Sequence, residues 1–169
     1  MFICACSSVG RAHDFLDSCR MIITIRGDDM LSSHFIGEIT EQQVVLEFLK
    51  QGILISKPLV QSSRYDFIAD INNKLYKIQV KTGTYKEDAY LEFATSTSHT
   101  NTQGTLNISY TANDVDFFAT VYENQCYLIP FELCGKRIQR IRFIPTKNNQ
   151  IKGVLFAKDF KLEDIIKTL

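Results

Sequence analysis

The sequence lacks several features that define whole classes of protein. No apolar run approaches the roughly 20 residues of a membrane-spanning helix, and Met1–Val9 has no basic segment of the kind that opens a signal peptide. The five cysteines include no C-x-x-C pair of the kind that zinc sites favour, and their odd number suits reduced thiols. These absences indicate a soluble intracellular protein.

The chain also has no excess of charge of either sign. Its 19 Lys and Arg residues balance 19 Asp and Glu, whereas proteins that bind nucleic acid are more often basic. The distribution is nevertheless uneven, because residues 135–158 contain no acid. This stretch holds seven basic residues: Lys136, Arg137, Arg140, Arg142, Lys147, Lys152 and Lys158. It predicts a local basic surface.

With 169 residues, of which 45% are hydrophobic and 22% charged, the chain suits one compact globular domain. We expect that domain to occupy residues 34–169. Residues 1–33 show no sustained helix or strand period, so we interpret them as a leader outside the domain, either disordered or not part of the native protein.

The leader contains the run SSVGRAHD at Ser7–Asp14. Plausible codons for this run spell the D-arm of a transfer-RNA gene. The likeness of this run to a translated tRNA gene is either a coincidence or the result of a start codon assigned too far upstream. In the second case Met21 or Met30 would be the true start.

Residues 35–51 form the strongest predicted helix. Four apolar residues recur at helical spacing and form one stripe: Val44, Val45, Phe48 and Leu49. Gly52 suits the helix end, and Ser33 or Thr40 can cap the start. Glu41 lies one turn before the stripe, so it is either a rim carboxylate in water or part of a site.

Residues 65–71 and 74–80 read as two strands of a hairpin. Asn72 and Asn73 between them suit a two-residue type I′ turn. In that register Asp66 faces Gln79, and Lys81 shares their face because side chains alternate along a strand. The opposite face is apolar, with Phe67, Ala69 and Ile71 against Tyr76, Ile78 and Val80.

Weaker patterns complete a single α/β domain. They predict a short buried strand over 52–58, a strand over 90–94, a long surface loop over 94–113, a second hairpin over 117–122 and 126–130, an exposed strand over 138–144 and a helix over 160–169. A helix first, then a mixed or antiparallel sheet, then a helix is the expected order.

Polar residues on one face of a hairpin are usually the wet side of a sheet. Two features favour a site here. Asp66 starts its strand while Gln79 and Lys81 end the partner strand, so the cluster lies at one edge of the sheet. The motif then runs into Thr82-Gly83-Thr84, which can turn close to a ligand.

The runs Ser63–Asp70 and Tyr76–Gly83 together resemble the PD-(D/E)XK nuclease superfamily. Within it they are most similar to the group I intron-encoded homing endonucleases of cyanobacteria, whose tripeptide is Gln-X-Lys. The match extends over Phe35–Leu169, with further likeness in Gly37–Gly52 and Asp116–Pro130. It implies a restriction-endonuclease-like core, with a central mixed β-sheet flanked by helices.

The resemblance implies that Glu41, Asp66, Gln79 and Lys81 are catalytic. Asp66, Gln79 and Glu41 would bind Mg²⁺, with Mn²⁺ as the expected substitute, because hard cations prefer oxygen ligands. Lys81 would hold the attacking water and counter charge growing on the phosphate. Gln79 replaces the usual acid and is a weaker magnesium ligand. The resemblance therefore predicts that metal binding depends more on Glu41, or that the site is catalytically impaired.

Several polar residues are candidates for DNA contact. Basic side chains on or beside the hairpin suit phosphates: Arg64, Lys74, Lys77 and Lys86. Side chains of the 94–113 loop suit base edges: Ser98, Asn101, Gln103 and Asn107. Solvated charges and a loop without a DNA role are the alternatives. His13, His34 and His99 follow no catalytic pattern, and we expect surface or loop roles for them.

The function implied is a site-specific endonuclease for double-stranded DNA, acting in intron homing with a tRNA gene as target. The resemblance also implies a homotetramer in the bacterial cytoplasm, associated with the nucleoid and without a membrane partner. Two alternatives remain: a Holliday-junction resolvase or repair-type nuclease on the same core, and a catalytically silent DNA-binding module, which Gln79 keeps open.

Overall fold

A computed structural model describes residues 32–60, 62–102, 104–146 and 150–169. The predicted leader therefore lies outside the described residues, apart from its last two. The first helix, α1, spans Ser33–Lys50 and is capped by Ser32, whose Oγ accepts a 3.3 Å hydrogen bond from the Phe35 amide. The expectation that Ser33 or Thr40 caps it was wrong. The predicted end is confirmed, since Gly52 has a positive φ of 76°.

The strands within the described residues are, in chain order, β1 (Leu54–Ser56), β2 (Phe67–Ile71), β3 (Lys74–Val80), β4 (Thr84–Lys86), β5 (Tyr90–Ala94), β6 (Ser96–Asn101), β7 (Gly104–Ser109), β8 (Phe117–Tyr122), β9 (Gln125–Pro130), β10 (Ile138–Arg142) and β11 (Leu155–Phe156). The second helix, α2, spans Leu162–Ile166. A central sheet has the order β1-β2-β3-β8-β9. Strands β3 and β8 pair in parallel and the other neighbours antiparallel, so the predicted mixed sheet is confirmed.

The predicted hairpin register is confirmed. Phe67 pairs with Ile78 and Asp70 with Leu75. Asn72 and Asn73 have φ values of 54° and 63°, as a type I′ turn requires. The predicted apolar face is buried except for Tyr76, which is half-buried. The hairpin therefore presents its polar residues on the opposite face.

Both faces of the central sheet are covered. Helix α1 packs Val44 and Phe48 against one face, where Phe48 meets Phe67 edge-on with ring centroids 5.2 Å apart. The other face carries Phe118 against a second sheet of order β11-β10-β5-β4. The core thus has two layers, divided by the central sheet.

One prediction of local structure was wrong, and two were right in kind but differ in burial or extent. The predicted loop over 94–113 contains β6 and β7, which pair as a hairpin. The predicted buried strand over 52–58 is the short edge strand β1, where Leu54 is 73% exposed. The predicted helix over 160–169 is present as the five-residue α2, which is shorter than predicted and follows a 3₁₀ helix over Ala157–Phe160.

The basic stretch 135–158 lies largely on β10 and β11 and the loops around them. It is partly neutralised, because Arg140 pairs with Glu92 at 2.6 Å. Two of the cysteines lie in the described part of the chain, Cys126 buried and Cys134 half-buried, and burial raises the pKa of both thiols. No helix in the described ranges is long and apolar enough to cross a membrane.

Candidate active site

The carboxylate of Asp66 is fixed by the opposite strand of the hairpin. Asp66 immediately precedes β2, and its amide donates to the Ile78 carbonyl at 2.9 Å. Its Oδ2 accepts hydrogen bonds from the Val80 amide and from Nε2 of Gln79, both at 2.6 Å. Asp66 and Gln79 therefore meet across the hairpin, as the sequence predicts.

The pKa of Asp66 is raised above its ordinary value of 3.8, chiefly because burial disfavours the ionised form. The Val80 hydrogen bond opposes this shift, the negative charge of Glu41 adds to it, and the positive charge of Lys81 opposes it. The site thus holds a carboxylate that its own surroundings only partly stabilise. A cation bound beside Asp66 and Glu41 would favour the ionised form.

Gln79 is a buried polar residue at the end of β3, with 8% of its surface exposed. Its Nε2 also donates to the Val80 carbonyl at 3.2 Å. Within the described part of the chain, the one buried side-chain polar atom without a partner is Oγ1 of Thr120. Oε1 of Gln79 accepts no hydrogen bond from the described residues and is not among their fully buried polar atoms without a partner.

Helix α1 is tied to the end of β3 by two threonines. Oγ1 of Thr82 donates to Oγ1 of Thr40 at 3.1 Å, and Thr40 in turn donates to the Ile36 carbonyl. This contact places Glu41, the next residue of α1, beside the hairpin. Oε1 of Glu41 accepts a 2.7 Å hydrogen bond from Nζ of Lys57, which follows β1.

A cleft of about 240 Å³ separates the N-terminal half of α1 from the hairpin. We call it the Asp66 cleft. Its lining residues are Ser33, His34, Gly37, Glu38, Glu41, Asp66, Gln79, Val80 and Thr82. Three of the four predicted catalytic residues therefore line one depression, and Glu38 adds a further carboxylate at its rim.

Lys81, the fourth predicted residue, follows β3 directly. Its amide donates to the Ala119 carbonyl at 2.9 Å, which continues the parallel pairing with β8. Its Nζ donates to Oη of Tyr110 at 3.0 Å. The side chain thus approaches Asp66 closely enough to lower its pKa, while an aromatic side chain holds the ammonium group.

Sequence reasoning missed three residues of this region. Lys57 contacts Glu41 from 16 positions away in the chain, and Tyr110 contacts Lys81 from 29 positions away. No local spacing in the sequence indicates such pairs. His34 was assigned a surface or loop role. It is exposed on α1 but also lines the Asp66 cleft, a position that the helix period through Glu38 and Glu41 could have revealed.

The expectation that Thr82-Gly83-Thr84 turns close to a ligand stays a prediction, and Thr82 lines the Asp66 cleft. The structure gives Gly83 a packing role. A Cβ added there would lie 2.7 Å from Cγ of Leu91, a fully buried residue of β5. The absence of a side chain therefore allows close packing between the end of the motif and the second sheet.

Three of the four basic residues predicted to contact phosphate make contacts within the protein. Lys77 donates to the Asn113 carbonyl at 2.6 Å, and Lys86 pairs with Glu92. Arg64 lies over the Tyr110 ring at 4.4 Å and pairs with Asp114 at 3.5 Å. Lys74 is exposed beside the hairpin turn. Their role in DNA binding stays a prediction.

Three of the four residues predicted to read bases lie on β6 and β7, which we call the polar hairpin: Ser98, Asn101 and Asn107. Ser98 and Asn107 pair across it, with a 2.6 Å hydrogen bond between Oγ and Oδ1. Asn101 ends β6. Gln103 lies outside the described residues. The polar hairpin forms a separate two-stranded sheet.

The donor set of the Asp66 cleft fits a hard cation. It offers carboxylate oxygens of Asp66 and Glu41 and the amide oxygen of Gln79, and magnesium in proteins is held by one or two carboxylates with several waters retained. The described residues contain no cluster of three or more His, Cys, Asp or Glu side chains suited to a metal. Gln79 adds an amide oxygen to the two carboxylates.

A mixed sheet covered by helices on one face, with a polar cleft at the end of its central hairpin, defines a restriction-endonuclease-like fold. The model of the PD-(D/E)XK endonuclease family matches residues 31–163. The chain belongs to this family and is a nuclease of the PD-(D/E)XK type.

Among solved structures, the fold is similar to that of the bacterial homing endonuclease I-Ssp6803I. The two chains share 23% sequence identity with a TM-score of 0.64, and the match covers 82% of this chain and 95% of the other. A search of curated proteins found no match.

Proposed function

We propose that this protein is a magnesium-dependent endonuclease that cuts both strands of duplex DNA at a specific site. The observation that carries the proposal is the pairing of Asp66 with Gln79 across the hairpin, with Glu41 brought to the same cleft by α1. This arrangement sets hard oxygen donors beside a lysine, which suits phosphodiester hydrolysis.

The predicted catalytic residues have two roles in the proposal. Asp66, Glu41 and Gln79 would hold Mg²⁺ or Mn²⁺ through oxygen atoms. The bound cation would supply positive charge to the scissile phosphate and would make the attacking water easier to deprotonate. Lys81 orients the attacking water and stabilises the negative charge that grows on the phosphate oxygens.

We further propose intron homing as the biological role, with an uninterrupted tRNA gene as target. Two observations support it: the D-arm-like run Ser7–Asp14, and the likeness of the fold to that of a bacterial homing endonuclease. The polar hairpin, with Ser98 and Asn107 on an exposed two-stranded sheet, is the proposed base-reading element.

We propose that two active sites act on the two strands and that the protein is a homo-oligomer, a tetramer by the resemblance. Exposed apolar side chains on α1 support association, since Phe35, Leu46 and Leu49 are each more than half exposed. The mass of the protein in solution, measured by light scattering at micromolar concentration, tests the number of subunits.

Cleavage of duplexes that carry uninterrupted bacterial tRNA genes tests the function. The purified chain is incubated with and without Mg²⁺, beside Asp66→Ala and the matched control Asp70→Ala, which changes an aspartate of the same hairpin outside the Asp66 cleft. Discrete double-strand cuts that need Mg²⁺ and Asp66, and that survive Asp70→Ala, are expected.

Other outcomes select the alternatives. Preference for a four-way junction over linear duplex would indicate a resolvase. Binding of duplex DNA without cleavage in Mg²⁺ or in Mn²⁺, over all the tRNA-gene duplexes tested, would indicate a silent module and contradict the proposal.

A further inference from the structure

Tyr110 lies where the polar hairpin rejoins the body of the domain, directly after β7. Its Oη accepts two hydrogen bonds, one from Nζ of Lys81 at 3.0 Å and one from Oγ1 of Thr97 at 2.7 Å. Thr97 belongs to β6, and Lys81 follows β3. One phenol oxygen therefore joins the predicted catalytic lysine to the base of the polar hairpin.

The ring of Tyr110 is itself held on several sides. It is 8% exposed and packs edge-on against the fully buried Phe118, with centroids 5.4 Å apart. The guanidinium of Arg64 lies 4.4 Å from the ring centroid, and this arginine also donates to the Ser109 carbonyl at 2.8 Å. The phenol oxygen is thus attached to a rigid support.

Lysine has a flexible four-carbon stem and loses considerable rotamer freedom when its ammonium is fixed. A side chain that acts on a phosphate must nevertheless be held within about 0.5 Å of its productive position. Among the described residues, the one hydrogen bond that the Lys81 side chain makes is the bond to Tyr110. The Lys81 ammonium also lies 5.0 Å from the ring centroid, where the electron-rich face attracts a cation.

We infer that Tyr110 is a positioning residue for Lys81, and that through Thr97 it makes the position of the lysine depend on the polar hairpin. The inference rests on the proposed function, in which Lys81 acts in hydrolysis. Tyr110 itself need not touch the DNA. Its hydroxyl oxygen holds the Lys81 ammonium group and accepts the hydrogen bond from Thr97 at the base of the polar hairpin.

The variant Tyr110→Phe tests the inference because it removes the hydroxyl and keeps the ring. We expect kcat to fall about tenfold, the lower end of the loss that follows removal of a supporting hydrogen bond. The affinity for duplex DNA without metal, measured by fluorescence anisotropy, is expected to stay within about twofold, since phosphate contacts elsewhere dominate binding.

Two further variants separate positioning from a general structural effect. Thr97→Val removes the second hydrogen bond and is expected to lower kcat about threefold, in keeping with one neutral hydrogen bond. Tyr76→Phe is the matched control, because Tyr76 is a half-buried tyrosine of β3 that packs edge-on against Phe117, outside the Asp66 cleft. It is expected to leave kcat unchanged.

A second measurement reads the position of Lys81 without any cleavage. In protein labelled with ¹⁵N at lysine, a hydrogen-bonded ammonium exchanges its protons slowly and gives its own NMR signal, which Lys81→Arg assigns by its disappearance. We expect this signal in the wild type and in Tyr76→Phe, and its loss in Tyr110→Phe.

The two readouts distinguish failure of the inference from failure of the proposed function. An unchanged Lys81 signal in Tyr110→Phe overturns the inference, whether or not the wild type cuts DNA. A normal kcat despite loss of the signal also overturns it. If the wild type never cuts but the signal still depends on Tyr110, the positioning contact stands and the proposed function fails.

Discussion

The side-chain amide of Gln79 donates a 2.6 Å hydrogen bond to the carboxylate of Asp66, across the hairpin that β2 and β3 form. A glutamate at this position could not donate that bond at neutral pH. It would place a second negative charge beside a carboxylate whose pKa burial already raises. The neutral amide therefore stabilises the metal-free site at the cost of a weaker cation ligand.

The variant Gln79→Glu is expected to bind the cation more strongly and to be less stable without metal. Without metal, its free energy of unfolding should fall by about 1–3 kcal/mol, because a buried hydrogen bond is replaced by repulsion between carboxylates. Added Mg²⁺ should recover part of the loss by binding the folded state. Urea unfolding with EDTA and with Mg²⁺ measures both effects, and equal stability of variant and wild type in EDTA would contradict the account. Gln42→Glu, on the exposed surface of α1, is the control.

Asp66→Asn is expected to abolish cleavage while stabilising the metal-free protein at neutral pH. The asparagine oxygen keeps the hydrogen bond from the Val80 amide, and the buried charge is removed. We expect the free energy of unfolding to rise by about 1 kcal/mol, which is typical when a functional residue that destabilises the fold is replaced. This corresponds to a rise of about 2–4 °C in Tm.

The gain should depend on pH in a defined direction. The folded-state pKa of Asp66 lies above its ordinary value of 3.8. At pH values above that folded-state pKa, the ionised Asp66 therefore lowers the free energy of unfolding by its full amount. The penalty disappears as the pH falls below the ordinary value. Thermal unfolding of the wild type and Asp66→Asn in EDTA should show a higher Tm for the variant at pH 7.5 but not at pH 3.5. A rise in Tm of equal size at both pH values would refute this explanation.

Lys57→Met is expected to strengthen Mg²⁺ binding about two- to fivefold. The ammonium of Lys57 occupies Oε1 of Glu41 at 2.7 Å and competes with the cation, and a partly exposed ion pair contributes up to about 1 kcal/mol. The Mg²⁺ concentration at half-maximal cleavage, or calorimetric titration, measures the change. Lys50→Met removes an ion pair of the same length on α1, with Glu47, outside the Asp66 cleft, and should change nothing.

Thr120→Val is expected to stabilise the protein by about 1 kcal/mol. Thr120 in β8 is fully buried, and its hydroxyl has no partner among the described residues, so valine removes an unsatisfied group without changing the shape. Thr95→Val is the counterpart, since the buried Thr95 hydroxyl donates to the Gly135 carbonyl, and it should destabilise by a similar amount. Denaturant midpoints compare the two, and the same sign for both would contradict the argument.

The hairpin was predictable because its information is local. Alternation over 65–71 and 74–80 with Asn72-Asn73 between fixes the turn, the register and the buried face at once. That register alone is enough to place Asp66 opposite Gln79.

Helix α1 shows where local information stops. Its apolar stripe correctly predicted burial of Val44 and Phe48, but Leu49 is 52% exposed because the sheet reaches only part of the stripe. The contact of Glu41 with Lys57 depends on how α1 docks, which no spacing within the helix encodes.

The polar hairpin escaped prediction for a related reason. Its strands are rich in Ser, Thr and Asn and stand as a separate sheet, so they lack the apolar alternation that marks a strand with one buried face. Backbone pairing and the hydrogen bond between Ser98 and Asn107 join its two strands, and neither leaves a pattern in the sequence.

The turn at Asn72-Asn73 lies six residues along β3 from Gln79, about 20 Å at the rise of an extended strand. It is exposed, and neither residue lines the Asp66 cleft. New chain termini or a short inserted peptide at this turn should therefore leave the site intact. The chain has a natural attachment point for a fluorophore or a fused domain at the opposite end of the very strands that carry its polar cluster.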